Sequence, residues 1–120
     1  KERMLLCLNP ADGKIRWKYT LPGAKAPTNA RNSLASSTPA TDGERVYTMF
    51  WDGHLVSLWA FDMDGKKLWQ RDLGGFTSQH GPAASPVVCE GNVVLANDQQ
   101  RRRSNAPECL LTGKVRAPTA

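Results

Sequence analysis

The chain has 120 residues, 40% of them hydrophobic and 22% charged, a balance that is typical of one globular domain and not of a disordered chain. No apolar run approaches the roughly 20 residues that a membrane helix needs, so we expect no transmembrane segment. The formal net charge of +5 is uneven, because residues 1–98 hold 11 basic and 10 acidic side chains whereas residues 99–120 hold 5 and 1. The basic character therefore belongs to the tail and not to the folded part.

The sequence opens with two predicted strands within residues 4–19. An apolar run leads to a tight turn at Asp12 and Gly13, and a shorter strand that carries Trp17 follows. Glycine suits such a turn because a positive φ costs it nothing.

Residues 36–72 predict four antiparallel strands. The first follows Pro39, which is tolerated at the start of a strand because no N–H group is needed there. The second is rich in β-branched and aromatic residues and ends at Asp52 and Gly53, a strong hairpin signal.

The third strand of this unit is apolar and leads to a turn at Asp64 and Gly65, and the fourth strand carries Trp69. Residues 84–97 then predict two more strands, joined by a turn at Gly91. No stretch shows a sustained 3.6-residue period, so we expect almost no helix.

Two interleaved repeats organise these strands. Residues 12–17 and 64–69 share the pattern Asp-Gly-Lys-x-x-Trp at an offset of 52. Residues 37–47 and 84–94 share a Pro near the start of a strand and a Val seven residues after it, at an offset of 47. Periods in this range are typical of β-propeller blades.

Residues 7–17 resemble the tryptophan-docking motif of quinoproteins, Ala-x-Asp-x-x-Thr-Gly-x-x-x-Trp, and residues 60–69 keep its Ala, Asp, Gly and Trp in a copy one residue shorter. Over roughly residues 4–98 the chain thus resembles the PQQ-like β-propeller repeat family, which includes the BamB-like outer-membrane assembly factors. In that family the Trp packs between adjacent blades, and the Gly lets the neighbouring backbone approach. The first copy departs from the motif at Cys7, Asn9 and Asp12.

The resemblance assigns structural blade-docking roles to four residues: Gly13, Trp17, Gly65 and Trp69. It implies an all-β fold over residues 4–98, a partial β-propeller in which one complete four-stranded antiparallel blade (36–72) is flanked by two half blades (4–19 and 84–97). Closed propellers take 4 to 8 blades, so we expect the chain to be a fragment of a larger protein.

Residues 99–120 depart from the family pattern. They hold a run of three arginines and show no β pattern where a third strand is due. We interpret this segment as an irregular basic tail that comes from a truncated or out-of-frame coding end. Arginines without interleaved aromatic residues are weak support for nucleic-acid binding, so we expect no nucleic-acid partner.

Few residues suggest a catalytic or binding site. Loops between the blades of a propeller meet at its central channel, which makes Ser78, Gln79 and His80 candidate channel-loop residues. We expect no catalytic and no metal-binding residue, since no acidic cluster has the ligand spacing of a Ca²⁺ site. The cysteines, odd in number and without zinc-ligand spacing, are interpreted as small half-buried hydrophobic residues, and a disulfide between two of them stays open. These cysteines are Cys7, Cys89 and Cys109.

Two functions are compatible with the resemblance. The first is a non-catalytic interaction scaffold in the cell envelope, which binds protein partners through its loops and needs no cofactor. The alternative is a fragment of a PQQ-dependent alcohol or sugar dehydrogenase, which would use PQQ with Ca²⁺. The sequence lacks the adjacent cysteine pair of many alcohol-oxidising members, which favours the scaffold. A periplasmic or other extracytoplasmic location rests on the resemblance alone, because no signal-peptide pattern opens the sequence.

Overall fold

The computed structural model describes residues 2–22, 36–76, 83–96 and 114–116. Within these residues all regular secondary structure is β-strand, which confirms the all-β prediction. The same residues include no helix that is long and apolar enough to cross a membrane. The strands are β1 (Arg3–Leu8), β2 (Ile15–Leu21), β3 (Ala40–Thr41), β4 (Arg45–Trp51), β5 (Leu55–Asp62), β6 (Lys67–Gly75), β7 (Val87–Cys89), β8 (Asn92–Val94) and β9 (Lys114–Arg116).

The strands form three antiparallel sheets that follow one another along the chain. The N-terminal sheet pairs β1 with β2, the central sheet has the order β3-β4-β5-β6, and the C-terminal sheet has the order β7-β8-β9. Within each sheet, strands that are consecutive in sequence pair with each other, so the two larger sheets are meanders. The central sheet is the four-stranded antiparallel unit that the sequence predicts.

Aspartate side chains shape the connections of the central sheet. Asp42, Asp52 and Asp62 each accept two backbone N–H hydrogen bonds from residues two to four positions later, at 2.6–3.0 Å. Such local bonds explain why strands end at these residues, since they offer the backbone an alternative to the sheet. At the third connection the bonds go to Asp62, whereas Asp64, which the sequence singled out, lies inside the turn and donates its N–H to Asp62.

The central strand β5 is buried on both faces, because a sheet packs on each side of it. Trp59 and Phe61 face the N-terminal sheet, where the ring centroid of Tyr19 lies 5.8 and 4.8 Å from theirs. This two-sided burial explains why β5 is apolar at every position from Leu55 to Phe61 except Ser57, instead of alternating. The intervening residues of β5 face the C-terminal sheet and share with it the main hydrophobic core, formed by Tyr47, Met49, Trp51, Val56, Leu58, Ala60, Val93 and Leu95.

The C-terminal sheet contains a strand that the sequence analysis does not predict. β9 lies in the segment expected to be an irregular tail, and it pairs antiparallel with β8, with Val115 opposite Val93. Three residues carry too weak a local pattern to predict a strand, and the pairing arises because β8 offers an edge that accepts one. The structure therefore has a short strand at β9, where the sequence analysis expects none. The interpretation of the tail as a truncated or out-of-frame coding end stays a hypothesis.

Candidate docking site between the sheets

The N-terminal sheet is joined to the central sheet by Trp17 of β2 and the turn between β5 and β6. Trp17 Nε1 donates a hydrogen bond to the carbonyl oxygen of Met63 at 2.8 Å. The indole covers Gly65 so closely that a Cβ atom there would lie 2.7 Å from Trp17 Cδ2 and 2.8 Å from its Cε3. Gly65 also has a φ of 86°, which a residue with a side chain rarely adopts. Glycine is thus required at this position by the turn and by the tryptophan alike.

The turn that receives Trp17 is held by its own hydrogen bonds. The Asp62 N–H donates to the Lys66 carbonyl oxygen at 2.9 Å, and the Gly65 N–H donates to the Asp62 carbonyl oxygen at 3.3 Å. The Asp62 carboxylate accepts from the N–H groups of Asp64 and Lys66, each at 2.9 Å. None of these bonds uses the carbonyl of Met63, which therefore stays available to the indole.

An aromatic cluster extends the contact along β2 and β5. The Tyr19 ring packs edge to face against Phe61 and Trp59, and the Phe50 ring packs edge to face against Trp59 with centroids 5.6 Å apart. Lys67 Nζ lies 4.2 Å from the centroid of the Trp59 ring, which is a cation–π distance. Aromatic pairs of this geometry add about 0.5–1.5 kcal/mol each beyond the apolar area that they bury. The cluster therefore fixes the orientation of the N-terminal sheet in addition to covering the central one.

Of the four residues with a predicted docking role, the structure brings together Trp17 and Gly65. Within the described residues Gly13 is not covered by a tryptophan, and Trp69 packs against the main hydrophobic core. Apart from its chain neighbours, no heavy atom of the described residues lies within 4 Å of the Cβ position at Gly13. Trp69 lies on the opposite face of the central sheet, with its ring centroid 6.0 Å from that of Tyr47. Its Nε1 is shielded from solvent and has no hydrogen-bond partner in the described part of the chain.

The predicted turn residues all lie in connections between strands: Asp52, Gly53, Asp64 and Gly91. Asp52 has the strongest set of bonds, because its carboxylate accepts from the N–H groups of Leu55 at 2.6 Å and His54 at 2.8 Å. These two bonds stabilise the charged form and lower the pKa of the Asp52 carboxyl. Its role is thus to hold the β4–β5 hairpin closed.

A polar cluster that the sequence analysis missed joins Asp42, Arg45 and Tyr47 near the β3–β4 turn. The Tyr47 hydroxyl donates to Asp42 Oδ2 at 2.8 Å, and Arg45 Nη1 lies 3.9 Å from the same oxygen. Partial burial opposes the charge on Asp42, but the hydrogen bonds from Tyr47 and from the backbone outweigh it and lower the pKa of the carboxyl. The sequence signal was the Asp-Gly pair at residues 42–43, whereas the contribution of Tyr47 emerges only once β4 is placed.

Among the described residues, no group of three or more His, Cys, Asp or Glu side chains is arranged to hold a metal ion. Cys7 is half-buried and Cys89 is exposed, and both are free thiols. The remaining candidates lie outside the described residues, namely Cys109 and the channel-loop residues Ser78, Gln79 and His80.

Comparison with known families gives a match over almost the whole chain. The model of a family described as outer membrane protein assembly factor BamB matches residues 1–117. The matched region includes both repeats and extends into the basic tail as far as the residue after β9. The match confirms the resemblance drawn from the tryptophan-docking motif. Neither the curated proteins nor the solved structures give a match.

Proposed function

The chain belongs to the family of the outer membrane protein assembly factor BamB, and we propose that it is a β-propeller segment that serves as a non-catalytic interaction scaffold in the cell envelope. In this proposal each of the three sheets is a blade or part of one, and the loops between blades bind protein partners. The proposed location is the periplasm or another extracytoplasmic space, where the named family acts at the outer membrane.

The observation that carries the proposal is the docking of Trp17 on Gly65. It ties the last strand of one sheet to the last turn of the next sheet, and the same Asp-Gly-Lys-x-x-Trp pattern recurs 52 residues later. A contact that joins one sheet to the next stacks successive sheets in series, which is how repeat architectures build a continuous core. This supports a propeller arrangement of the sheets.

The use of polar side chains in the described part supports a structural role over a catalytic one. The aspartates hold turns, and on the central sheet the Ser57 hydroxyl donates to Asp72 Oδ1 at 2.9 Å while Gln70 Nε2 donates to the same oxygen at 3.1 Å. The bond between Ser57 and Asp72 crosses from β5 to β6 and supports their register, whereas the bond between Gln70 and Asp72 lies within β6. These polar side chains are therefore engaged in contacts within the sheet.

Site-specific photocrosslinking in the cell envelope tests the scaffold role. A photoreactive amino acid at Ser78, Gln79 or His80 is expected to capture an envelope protein, whereas the same probe at the exposed residue Arg71 of β6 is expected to capture none. Absence of adducts from all three loop positions, or equal adducts from Arg71, would contradict the proposal. Titration with PQQ and Ca²⁺ is the second arm, and saturable micromolar binding would establish the dehydrogenase alternative instead.

A further inference from the structure

The repeat that places a proline at the start of a strand makes a contact between sheets of its own. The Thr38 N–H donates a hydrogen bond to Ser85 Oγ at 2.9 Å. Thr38 lies two residues before β3 of the central sheet, and Ser85 lies two residues before β7 of the C-terminal sheet. The bond therefore joins the segments that lead into the first strands of two neighbouring sheets, and these strands are themselves in contact.

Thr38 and Ser85 occupy the same position in successive repeats. They are 47 residues apart, and each immediately precedes the proline of its repeat. The strands that follow have the same register, since β3 pairs with β4 and β7 pairs with β8 at partner positions that differ by 47 residues. The equivalence is thus structural as well as sequential, and the residue before one proline bonds to its own equivalent in the next sheet.

The residue types at this position suit the contact. Proline has no N–H group, and its ring restrains the residue before it to extended conformations. Thr38 therefore leads into β3 extended, and its N–H is directed to the neighbouring sheet, where a hydroxyl accepts it. Serine and threonine each combine a backbone donor with a hydroxyl acceptor. A residue of this kind can accept from one sheet and donate to the next, so the same contact can recur from sheet to sheet.

The contact lies at the opposite edge of the central sheet from the tryptophan contact. β3 and β6 are the two edge strands of this sheet, and Trp17 contacts the turn that leads into β6. In the propeller arrangement proposed above, equivalent residues of neighbouring blades come closer together as they approach the axis. A direct hydrogen bond between equivalent residues therefore marks the β3 edge as the inner edge of the sheet.

We propose that the hydroxyl-bearing residue before each repeat proline positions neighbouring sheets at their inner edge, with Ser85 as the acceptor and Thr38 as the donor in this chain. The word inner rests on the proposed propeller arrangement, whereas the bond between the two sheets does not. The proposal gives the second repeat a role of its own. Its proline and hydroxyl residue hold the central sheet to the C-terminal sheet, in addition to the apolar core that these sheets share.

Hydrogen exchange of the Thr38 amide, followed by NMR in the full chain, tests the hydrogen bond. Ser85→Ala removes the acceptor and is expected to accelerate exchange of this amide by about twofold to tenfold. Ser85→Thr keeps the hydroxyl and is expected to restore the slow exchange. Thr41→Val is the matched control, because Thr41 Oγ1 accepts the Gly43 N–H at 3.1 Å at the other end of β3. It is expected to accelerate exchange at Gly43 and not at Thr38.

Disulfide trapping tests the placement of the two segments. In a chain whose native cysteines are replaced by alanine, Thr38→Cys with Ser85→Cys is expected to form a disulfide under mild oxidation. Thr41→Cys with Ser85→Cys is expected to form none, since Thr41 lies about 10 Å further along the strand.

Three results would overturn the proposal: Thr38 exchange that Ser85→Ala leaves unchanged, faster exchange that Ser85→Thr does not reverse, or equal trapping of both cysteine pairs. Neither experiment needs a partner protein. A failure of the photocrosslinking test of the scaffold role would therefore leave the outcome of these experiments unaffected.

Discussion

The two faces of the central sheet are covered in different ways. Toward the C-terminal sheet the cover is a continuous hydrophobic core in which Leu58 and Val93 are fully buried. Toward the N-terminal sheet the cover is a cluster of aromatic rings, together with one indole hydrogen-bonded to a backbone carbonyl. The first face is held by apolar packing that has little directional preference. The second face is held by contacts with a defined geometry.

The two faces of the central sheet therefore contribute in different ways, one to its stability and the other to the position of the sheet that packs on it. Apolar burial contributes most of the free energy of folding but tolerates sliding between sheets. A tryptophan fitted over a glycine, with its N–H on one carbonyl, tolerates no such sliding. We infer that packing toward the C-terminal sheet determines the stability of the central sheet. The contacts on the opposite face determine the position of the N-terminal sheet.

The largest effect is expected for Leu58→Ala, which removes a fully buried side chain from the core toward the C-terminal sheet. The loss of apolar contact and the cavity left behind should lower the free energy of unfolding by about 2–5 kcal/mol. Urea denaturation at a fixed low protein concentration measures it. Leu68→Ala on β6, where Leu68 is 43% exposed, is the control and should change the free energy of unfolding by no more than about 0.5 kcal/mol. Similar losses for the two variants would contradict the assignment of stability to this core.

A smaller and more local effect is expected for Gly65→Ala at the other face. The new Cβ would meet Trp17 at 2.7 Å, so strain and displacement of the indole should together cost about 2–4 kcal/mol. Gly43→Ala shares the positive φ but has open space around it, so it should cost about 1–2 kcal/mol.

Hydrogen exchange shows where the Gly65→Ala effect falls. Exchange is expected to accelerate in β1 and β2 more than in β4 and β5, because the N-terminal sheet loses its anchor while the core toward the C-terminal sheet stays intact. Equal acceleration in all four strands would show that both faces act as one unit.

The two tryptophans of the repeat allow a sharper comparison. Trp17→Phe and Trp69→Phe each remove an indole N–H, but within the described residues only that of Trp17 has an acceptor, the carbonyl of Met63. The hydrogen bond should make the Trp17 variant less stable than the Trp69 variant by about 1 kcal/mol. Thermal unfolding of both variants at the same low protein concentration measures the difference. A larger loss of stability for Trp69→Phe than for Trp17→Phe would contradict the absence of an acceptor for Trp69 Nε1 within the described residues.

Much of this arrangement was predictable from local patterns. The Asp-Gly pairs gave the turns, the apolar runs gave β4 and β5, and the repeat gave the four-stranded unit. The docking roles of Trp17 and Gly65 followed from the family resemblance, and the structure joins these two residues. Turns and strands of this kind are specified by residues close in sequence, which is why a sequence suffices for them.

The remaining features depend on partners that are distant in sequence. Whether a repeat tryptophan is docked depends on which turn lies beside it, and Trp17 and Trp69 have the same local pattern. The pairing of β9 with β8 depends on an edge that becomes available only when the sheet forms. The choice of Asp62 over Asp64 as the acceptor in the β5–β6 turn depends on the backbone path through a turn that is one residue shorter than its first copy.

The smallest change in the free energy of unfolding is expected for Asp52→Asn in the β4–β5 hairpin, whose turn is not part of either packed face. Folding lowers the pKa of the Asp52 carboxyl below its ordinary value of 3.8, because the carboxylate accepts the Leu55 and His54 N–H groups. A lowered pKa stabilises the folded state above that value, and the stabilisation is lost as the pH falls through the folded pKa. Asp52→Asn keeps an oxygen acceptor but does not titrate. The difference in free energy of unfolding between wild type and variant should therefore be largest above about pH 5 and should shrink as the pH falls toward 2. Urea denaturation across this range measures the difference, and one that stays constant with pH would show that the charge of Asp52 does not stabilise the hairpin.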